Sequence, residues 1–404
     1  MRFSVGVFAP LLARLVLVVA SNDGRNALAQ LALDKILQDG RDVFGDLSES
    51  ASSASPPTAA SAFSDVVTHG YSRHARWMAA LPDSIPITHL TIPGTHDAAT
   101  WNYSQTTQDG LADATRCDGT TPGRARVYRC QRRSVAASLD AGIRFFDLRF
   151  ALDPGDARLV FWHGPALLSA EAGLDDVLFA FYAWLEAHPS EMVLLSLQYE
   201  GGTRANATSD ARVQGKLFEA LTSPAARRYV HQARGVLATL GDARGKIVLF
   251  RRFDLTALPA EFEAAIPGLH MAPGKWVDNS RGFELVYNDT IVNGSAFVED
   301  FYHPGDYDTI ASNIDAKFDA VQAHLRLAAE DDFDKLFVTF TSGTHVEIDT
   351  PVYPDVMALG SGGVSGINRR LMALLAEMRG KRLGVVVMDF FDEPEGLVDL
   401  LLDF

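Results

Sequence analysis

The stretch GIRFFDLRF, residues 142–150, places Asp147 and Arg149 two positions apart inside a run of aromatic and branched apolar residues. Such a run reads as a strand, and the period of two turns both polar side chains to one face. Seven similar runs flank it, most carrying their polar residues toward the C-terminal end. THLTIP (88–93) leads into Gly94, Thr95, His96 and Asp97; LVFWHG (159–164) holds His163; EMVLLSLQ (191–198) stops at Gln198. KIVLFRRF (246–253) closes with Arg251 and Arg252, SAFVEDFY (295–302) contains Asp300 and Tyr302, KLFVTFTSG (335–343) ends in Thr341 and Ser342, and RLGVVVMDF (382–390) reaches Asp389. Between them, residues 175–188, 310–330 and 366–379 have helical apolar spacing. Strands alternating with helices imply a parallel sheet. The expected fold is α/β, a single irregular TIM-type (β/α)8 barrel with its site at the C-terminal strand ends. Weak helical periodicity after the fifth and sixth runs marks where it departs from regularity.

The whole chain has 404 residues, 47% hydrophobic and 22% charged, which excludes disorder, collagen and a membrane bundle. A net charge of -15 opposes binding to nucleic acid or to an anionic bilayer by charge alone. Residues 1–29 read as a signal peptide cleaved between 20 and 30, and the Ser/Ala/Pro-rich residues 30–64 as a linker or pro-segment. The barrel domain is then 65–404. Four acceptor triplets, at Asn102, Asn206, Asn288 and Asn293, favour glycosylation and a secreted protein. No other run is long enough to span a bilayer. In an oxidising compartment, Cys117 and Cys130, the only cysteines, can form one disulfide.

His96 and His163 end separate runs, and two imidazoles suit general-base and general-acid work near neutral pH. Each needs a carboxylate to fix its tautomer. Neighbouring side chains on a strand diverge, so the economical pairing is Asp389 with His96 and Asp97 with His163. Arg149 offers a planar fork to a phosphate, an ion pair with Asp147 being the competing reading. Arg251 and Arg252 face opposite ways, and only one reaches the barrel mouth. There is no GxSxG, P-loop or dinucleotide fingerprint.

These residues resemble the X-domain of phosphatidylinositol-specific phospholipases C, most closely its secreted bacterial, metal-independent type. IPGTHDA, GIRFFDLR, FWHGP, AHPSEMVLLSL, GKIVLFRRF, VEDFY, FTSG and VVVMDFFDEP follow in family order from about His89 to Glu393. The resemblance implies a distorted barrel that cleaves the phosphodiester of phosphatidylinositol or a glycosylated form. The products would be diacylglycerol and a 1,2-cyclic inositol phosphate. It implies His96 as base, His163 as acid, Arg149 as phosphate ligand and Asp97 and Asp389 as supports. Arg252, Asp300 and Tyr302 map onto the inositol-binding set. Gln198 stands where the bacterial pattern has lysine, which leaves headgroup preference open. No cofactor and no metal is expected. The partner is phospholipid at a membrane or micelle interface, and the protein is expected to be a monomer.

Trp101, Tyr103, Trp276, Phe253 and Tyr353 are candidates for touching that interface. The alternatives are a metal-dependent barrel phosphodiesterase acting on another phospholipid, and a catalytically silent phospholipid-binding barrel. Clustered carboxylates would mark the former.

Overall fold

A computed structural model describes residues 27–47, 74–115, 121–204, 206–292, 294–330 and 334–403. Its main strands are β1 (Ile92–Thr95), β2 (Phe145–Leu152), β3 (Leu159–His163), β4 (Val193–Tyr199), β5 (Ile247–Arg252), β6 (Leu269–His270), β7 (Phe283–Val286), β8 (Ser295–Glu299), β9 (Leu336–Phe340) and β10 (Val385–Met388). The sheet order is β6-β5-β4-β2-β1-β10-β9-β8-β7. All neighbours are parallel except β7, which runs antiparallel to β8. Eight parallel strands thus curl into the distorted barrel that the sequence implies. No ladder joins the β6 and β7 edges among the described residues.

Alternation along each strand builds two cores. Phe146, Leu148 and Phe150 of β2, Leu195 and Leu197 of β4, and Val386 of β10 face the outer helices. Phe145, Leu194, Phe250, Val338 and Val387 fill the barrel interior. The helices α1 (Leu174–Ala187), α2 (Ala211–Thr222), α3 (Ile310–Glu330) and α4 (Ile367–Glu377) coincide with the three helical stretches expected from spacing and add α2. α1 buries Val177, Leu178, Phe181, Trp184 and Leu185, one apolar stripe at helical spacing. Asp176 accepts the Gly173 N–H at 2.8 Å and so satisfies a donor at its start. Gly94 is required where β1 meets β2, because a Cβ there would lie 2.9 Å from the Phe145 Cβ.

Three expectations change. The run at 159–164 is not a barrel strand: β3 returns antiparallel on β2, with Phe150 opposite Phe161, after a turn at Asp153. Asp153 accepts the N–H groups of Ala157 and Arg158 there, at 2.6 and 3.0 Å, and fixes the hairpin. The missing barrel strand is β6, too short at two residues to leave a sequence signal. The folded unit also begins before residue 65. Val43 and Phe44 are buried, Phe44 packs edge-on to Phe181 at 4.9 Å, and Trp101 Nε1 donates to Val43 O. Burying an apolar pair is what a linker lacks, so residues 30–47 belong to the domain. The rest of the expected linker, and the expected signal peptide up to residue 26, lie outside the described residues.

Asn206 is exposed in a left-handed turn. Asn288 donates its side-chain amide to Gly235 O and Asn102 to Asp42 O, while Asn293 lies outside the described residues. Tyr103 and Phe253 are core residues, not interfacial ones, each about 1% exposed. No helix among the described residues is long and apolar enough to cross a membrane.

Arg144 anchors the lower end of the barrel. Wholly buried, it donates to Glu191 at 2.7 Å and to the carbonyls of Leu139, Ile143, His74 and Ala75. Removing one partner of a buried, fully bonded ion pair leaves the other uncompensated. Arg144→Ala is expected to destabilise the fold by about 3–5 kcal/mol. Chemical denaturation of wild type and variant checks this, and a loss near zero would contradict it.

Candidate active site

A cavity of about 720 Å³ opens at the C-terminal ends of the parallel strands. His96, Arg149, His163, Gln198, Glu200, Arg252, Asp300, Tyr302 and Asp389 all line it, which gathers nearly all the residues singled out from sequence. Parallel register explains part of this. Arg149 of β2 pairs with Gln198 of β4, and Gln198 pairs with Arg252 of β5, so the three stand side by side at one level. Arg251 points outward and binds Glu263 at 2.7 Å, leaving Arg252 as the arginine at the mouth.

His96 follows β1 and is 14% exposed. Its Nδ1 lies 2.9 Å from Asp389 Oδ1, the pairing expected from sequence. An N–H donated there leaves Nε2 as the acceptor. Burial holds its pKa well below the ordinary imidazole value, and Arg149 and His163 lower it further, so the ring is neutral at neutral pH. The His163 ring stands 6.3 Å away, edge-on. β3 brings it there by running back along β2. Its Nδ1 is 2.9 Å from Tyr128 O and 3.3 Å from Asp97 Oδ2, so Asp97 shares this ring with a backbone carbonyl. Burial and Arg149 lower the His163 pKa to about 4.

Asp97 reaches the centre by a route that strand alternation does not describe. Its backbone is left-handed, φ 43°, which folds the carboxylate back into the barrel. There it lies 3.4 Å from both His96 Nε2 and Arg149 Nε. Burial raises its pKa to about 7, against the lowering influence of Arg149. A second left-handed residue, Phe390, follows Asp389 and donates its N–H to Cys130 O. A bulky residue in that region is rare and strained, and such strain collects where side chains must be aimed. Burial also lifts Asp389 well above the usual carboxylate range.

Arg149 has Nη2 2.8 Å from His96 Nε2, Nε 3.4 Å from Asp147 Oδ2, and Nη1 3.9 Å from Glu200 Oε2. Arg149 therefore contacts Asp147 and at the same time faces the cavity. Burial disfavours its charge, yet Asp97 and Asp147 outweigh that, and its pKa stays raised. Beside Gln198, Arg252 lies 3.7 Å over the Trp276 ring, while Trp276 Nε1 donates to Asp300 at 2.7 Å. Trp276 thus belongs to the cavity wall and not to the lipid-facing set expected for it. Tyr302 OH donates to Asp278 at 3.2 Å. Gln198 Oε1 is buried and has no hydrogen-bond partner among the described residues.

Two contributors escaped sequence reasoning. Glu200 accepts the Gly164 N–H at 2.7 Å, and its i+2 spacing from Gln198 was the available signal. Gln131 ties the barrel ends by donating to His96 O at 2.7 Å and Met388 O at 2.8 Å. Cys130 is a free, buried thiol on the cavity floor, and Cys117, its expected partner, lies outside the described residues. Cys130 forms possible ligand trios with His96 and Asp389 and with Asp97 and His163. A fixed guanidinium at 2.8 Å from His96 makes either trio a poor place for a cation.

The C-terminal mouth of the barrel thus brings two imidazoles and a buried guanidinium together. Comparison with known proteins places it more closely. The family "Phosphatidylinositol-specific phospholipase C, X domain" matches residues 122–253. A 1-phosphatidylinositol phosphodiesterase of Staphylococcus aureus strain Newman is 28% identical over 275 residues, covering 66% of this chain and 74% of that one. One from Listeria monocytogenes is 25% identical over 320 residues, covering 78% and 80%. A solved Staphylococcus aureus phosphatidylinositol-specific phospholipase C superposes with a TM-score of 0.59 at 22% identity, over 82% of this chain and 98% of that one, which supports the fold. Residues 122–253 thus match the X-domain model, and the chain as a whole is similar to bacterial 1-phosphatidylinositol phosphodiesterases.

Proposed function

We propose that this protein is a phosphatidylinositol phosphodiesterase of the lyase type. The inositol 2-hydroxyl attacks phosphorus, the bond to the diacylglycerol oxygen breaks, and diacylglycerol and 1,2-cyclic inositol phosphate are released. The observation that carries this reading is His96, oriented by Asp389, 6.3 Å from His163 with Arg149 in contact with the base. His96 Nε2 takes the 2-hydroxyl proton, and His163 gives one to the leaving oxygen. Arg149 stabilises the charge that builds on the phosphoryl oxygens. The nucleophile belongs to the substrate, so holding it in line supplies much of the rate. Gln198, Arg252, Asp300 and Tyr302 bind the ring hydroxyls, and substrate is drawn from a membrane or micelle surface by an exported, monomeric enzyme. Phosphorus NMR of phosphatidylinositol incubated with the protein tests the reaction: a cyclic phosphate resonance is expected, and an acyclic phosphate as first product would refute it.

Gln198 supplies a neutral amide beside two guanidinium groups. With its Oε1 unpartnered, it is free to accept from a ring hydroxyl. Gln198→Lys replaces that acceptor by a third cation at the same level, and is expected to change KM for phosphatidylinositol several-fold more than kcat. Unchanged steady-state kinetics would place residue 198 outside the headgroup site.

A further inference from the structure

Outside the catalytic cluster, the described residues bring together one other group of metal-ligating side chains: His303, His345 and Glu347, whose donor atoms all lie within 4.8 Å of one another. His303 follows β8 and the other two follow β9, so the group bridges two separate strand ends at the rim of the barrel. None of the three lines the cavity, although Tyr302 and Thr344, their neighbours in sequence, do.

The group is built rather than accidental. Asn313, wholly buried on α3, donates its amide N–H to Tyr307 O at 2.7 Å and Thr309 O at 2.8 Å. That fixes its oxygen toward His345 Nδ1, 2.8 Å away. His345 must then carry its proton on Nδ1, which leaves the Nε2 lone pair unprotonated. A ring N–H held by an outer carbonyl oxygen is the usual way a metal-ligating histidine is oriented. The backbone is pinned as well. His345 exchanges both backbone hydrogen bonds with Val352 at 2.8 Å, and His303 is held by Asn279 through its N–H at 2.8 Å and its carbonyl at 2.7 Å. The two rings meet with centroids 4.6 Å apart, and His303 Nε2 lies 3.2 Å from Glu347 Oε2. Two imidazoles and a carboxylate form a borderline donor set of the kind that selects zinc over calcium or magnesium. Tetrahedral zinc bonds of about 2.0–2.2 Å place donors roughly 3.3–3.6 Å apart; His303 and Glu347 already stand at 3.2 Å, the whole group lies within 4.8 Å, and the exposed Glu347 carboxylate has the freedom to move.

We propose that His303, His345 and Glu347 bind a zinc-class divalent cation that ties the β8 and β9 ends together and stiffens one wall of the cavity. This site is separate from the proposed catalysis, and its readout is binding and stability. Isothermal titration of the EDTA-treated full chain with zinc is expected to give one site per chain. Cobalt should give a visible ligand-field spectrum, and zinc should raise Tm. His303→Ala and Glu347→Gln, both at partly or largely exposed positions, are each expected to weaken binding by about 10²-fold or more and abolish the Tm shift, beyond the loss typical of an outer partner. His345→Ala should do the same, with circular dichroism reporting whether this buried change folds. Absence of zinc binding by the wild type would overturn the proposal. So would binding that survives His303→Ala and Glu347→Gln but is lost in His163→Ala, which would move the ion to the cavity trios.

Discussion

His96→Ala and His163→Ala are each expected to lower turnover of phosphatidylinositol by about 10²–10⁴ while leaving the fold intact, the scale of losing one proton-transfer partner. The two differ in which half of the reaction they remove. With a phenol-like leaving group, departure needs no protonation, so His163→Ala should recover most of its loss and His96→Ala almost none. Parallel assays of both variants on both substrates decide it, and equal recovery would reverse or void the assignment. The pKa directions make a companion test. Burial and Arg149 hold His163 at about 4, so it is neutral above that pH. An anionic phosphodiester offsets the Arg149 charge and raises the His163 pKa. Binding an uncleavable anionic analogue near neutral pH should therefore take up protons, measurable by calorimetry in two buffers of different ionisation enthalpy.

Arg149→Ala is expected to cost about 10²–10³ in kcat, the scale of removing one preorganised charge stabiliser. It should also change His96. Burial keeps the His96 pKa low, but without the Arg149 charge beside it that pKa moves up, toward the ordinary value. Stability linked to this group moves in step: a histidine with a depressed folded pKa stabilises the fold above its unfolded value and loses that contribution as pH falls. The acid limb of the kcat/KM profile should accordingly shift to higher pH in the variant. Calcium added to Arg149→Ala should not restore activity, because an ion drawn to the Asp97, Asp147 and Glu200 carboxylates that the guanidinium contacted would not supply the paired N–H donors that hold a phosphate oxygen pair. Full rescue by calcium, or a variant within about threefold of wild type, would remove Arg149 from the reaction.

Much of this was legible because period-two alternation and strand-end polarity are strong signals. His96, Arg149, Gln198, Arg252, Asp300 and Asp389 all follow from those two regularities, and parallel register brings them to one rim. What escaped reading depends on geometry that local pattern does not encode. β3 has the composition of a barrel strand, and only the Asp153 hairpin reveals that it returns on β2. β6 is held in place by neighbours and not by propensity, so its two residues carry no pattern. Asp97 was expected to diverge from His96 as strand neighbours do, yet the left-handed turn after β1 brings both toward one centre. Tyr103, Phe253 and Trp276 show the limit of reading aromatics by type, since the first two fill the core and the third stacks under Arg252.

The 2.8 Å contact between Arg149 Nη2 and His96 Nε2 gives the site the logic of an interlock. In the proposed mechanism, the lone pair that would accept the hydroxyl proton is the one the guanidinium contacts, so the base must be released from Arg149 before it can act. A phosphate oxygen competes for the same N–H and, with its full charge, wins it from a neutral ring. Only then is Nε2 released, beside the hydroxyl that the same ligand has carried in. An uncharged polyol entering alone lacks the key and meets a base that stays engaged. On the proposed mechanism, one hydrogen bond sets the order of events, anion first and proton second.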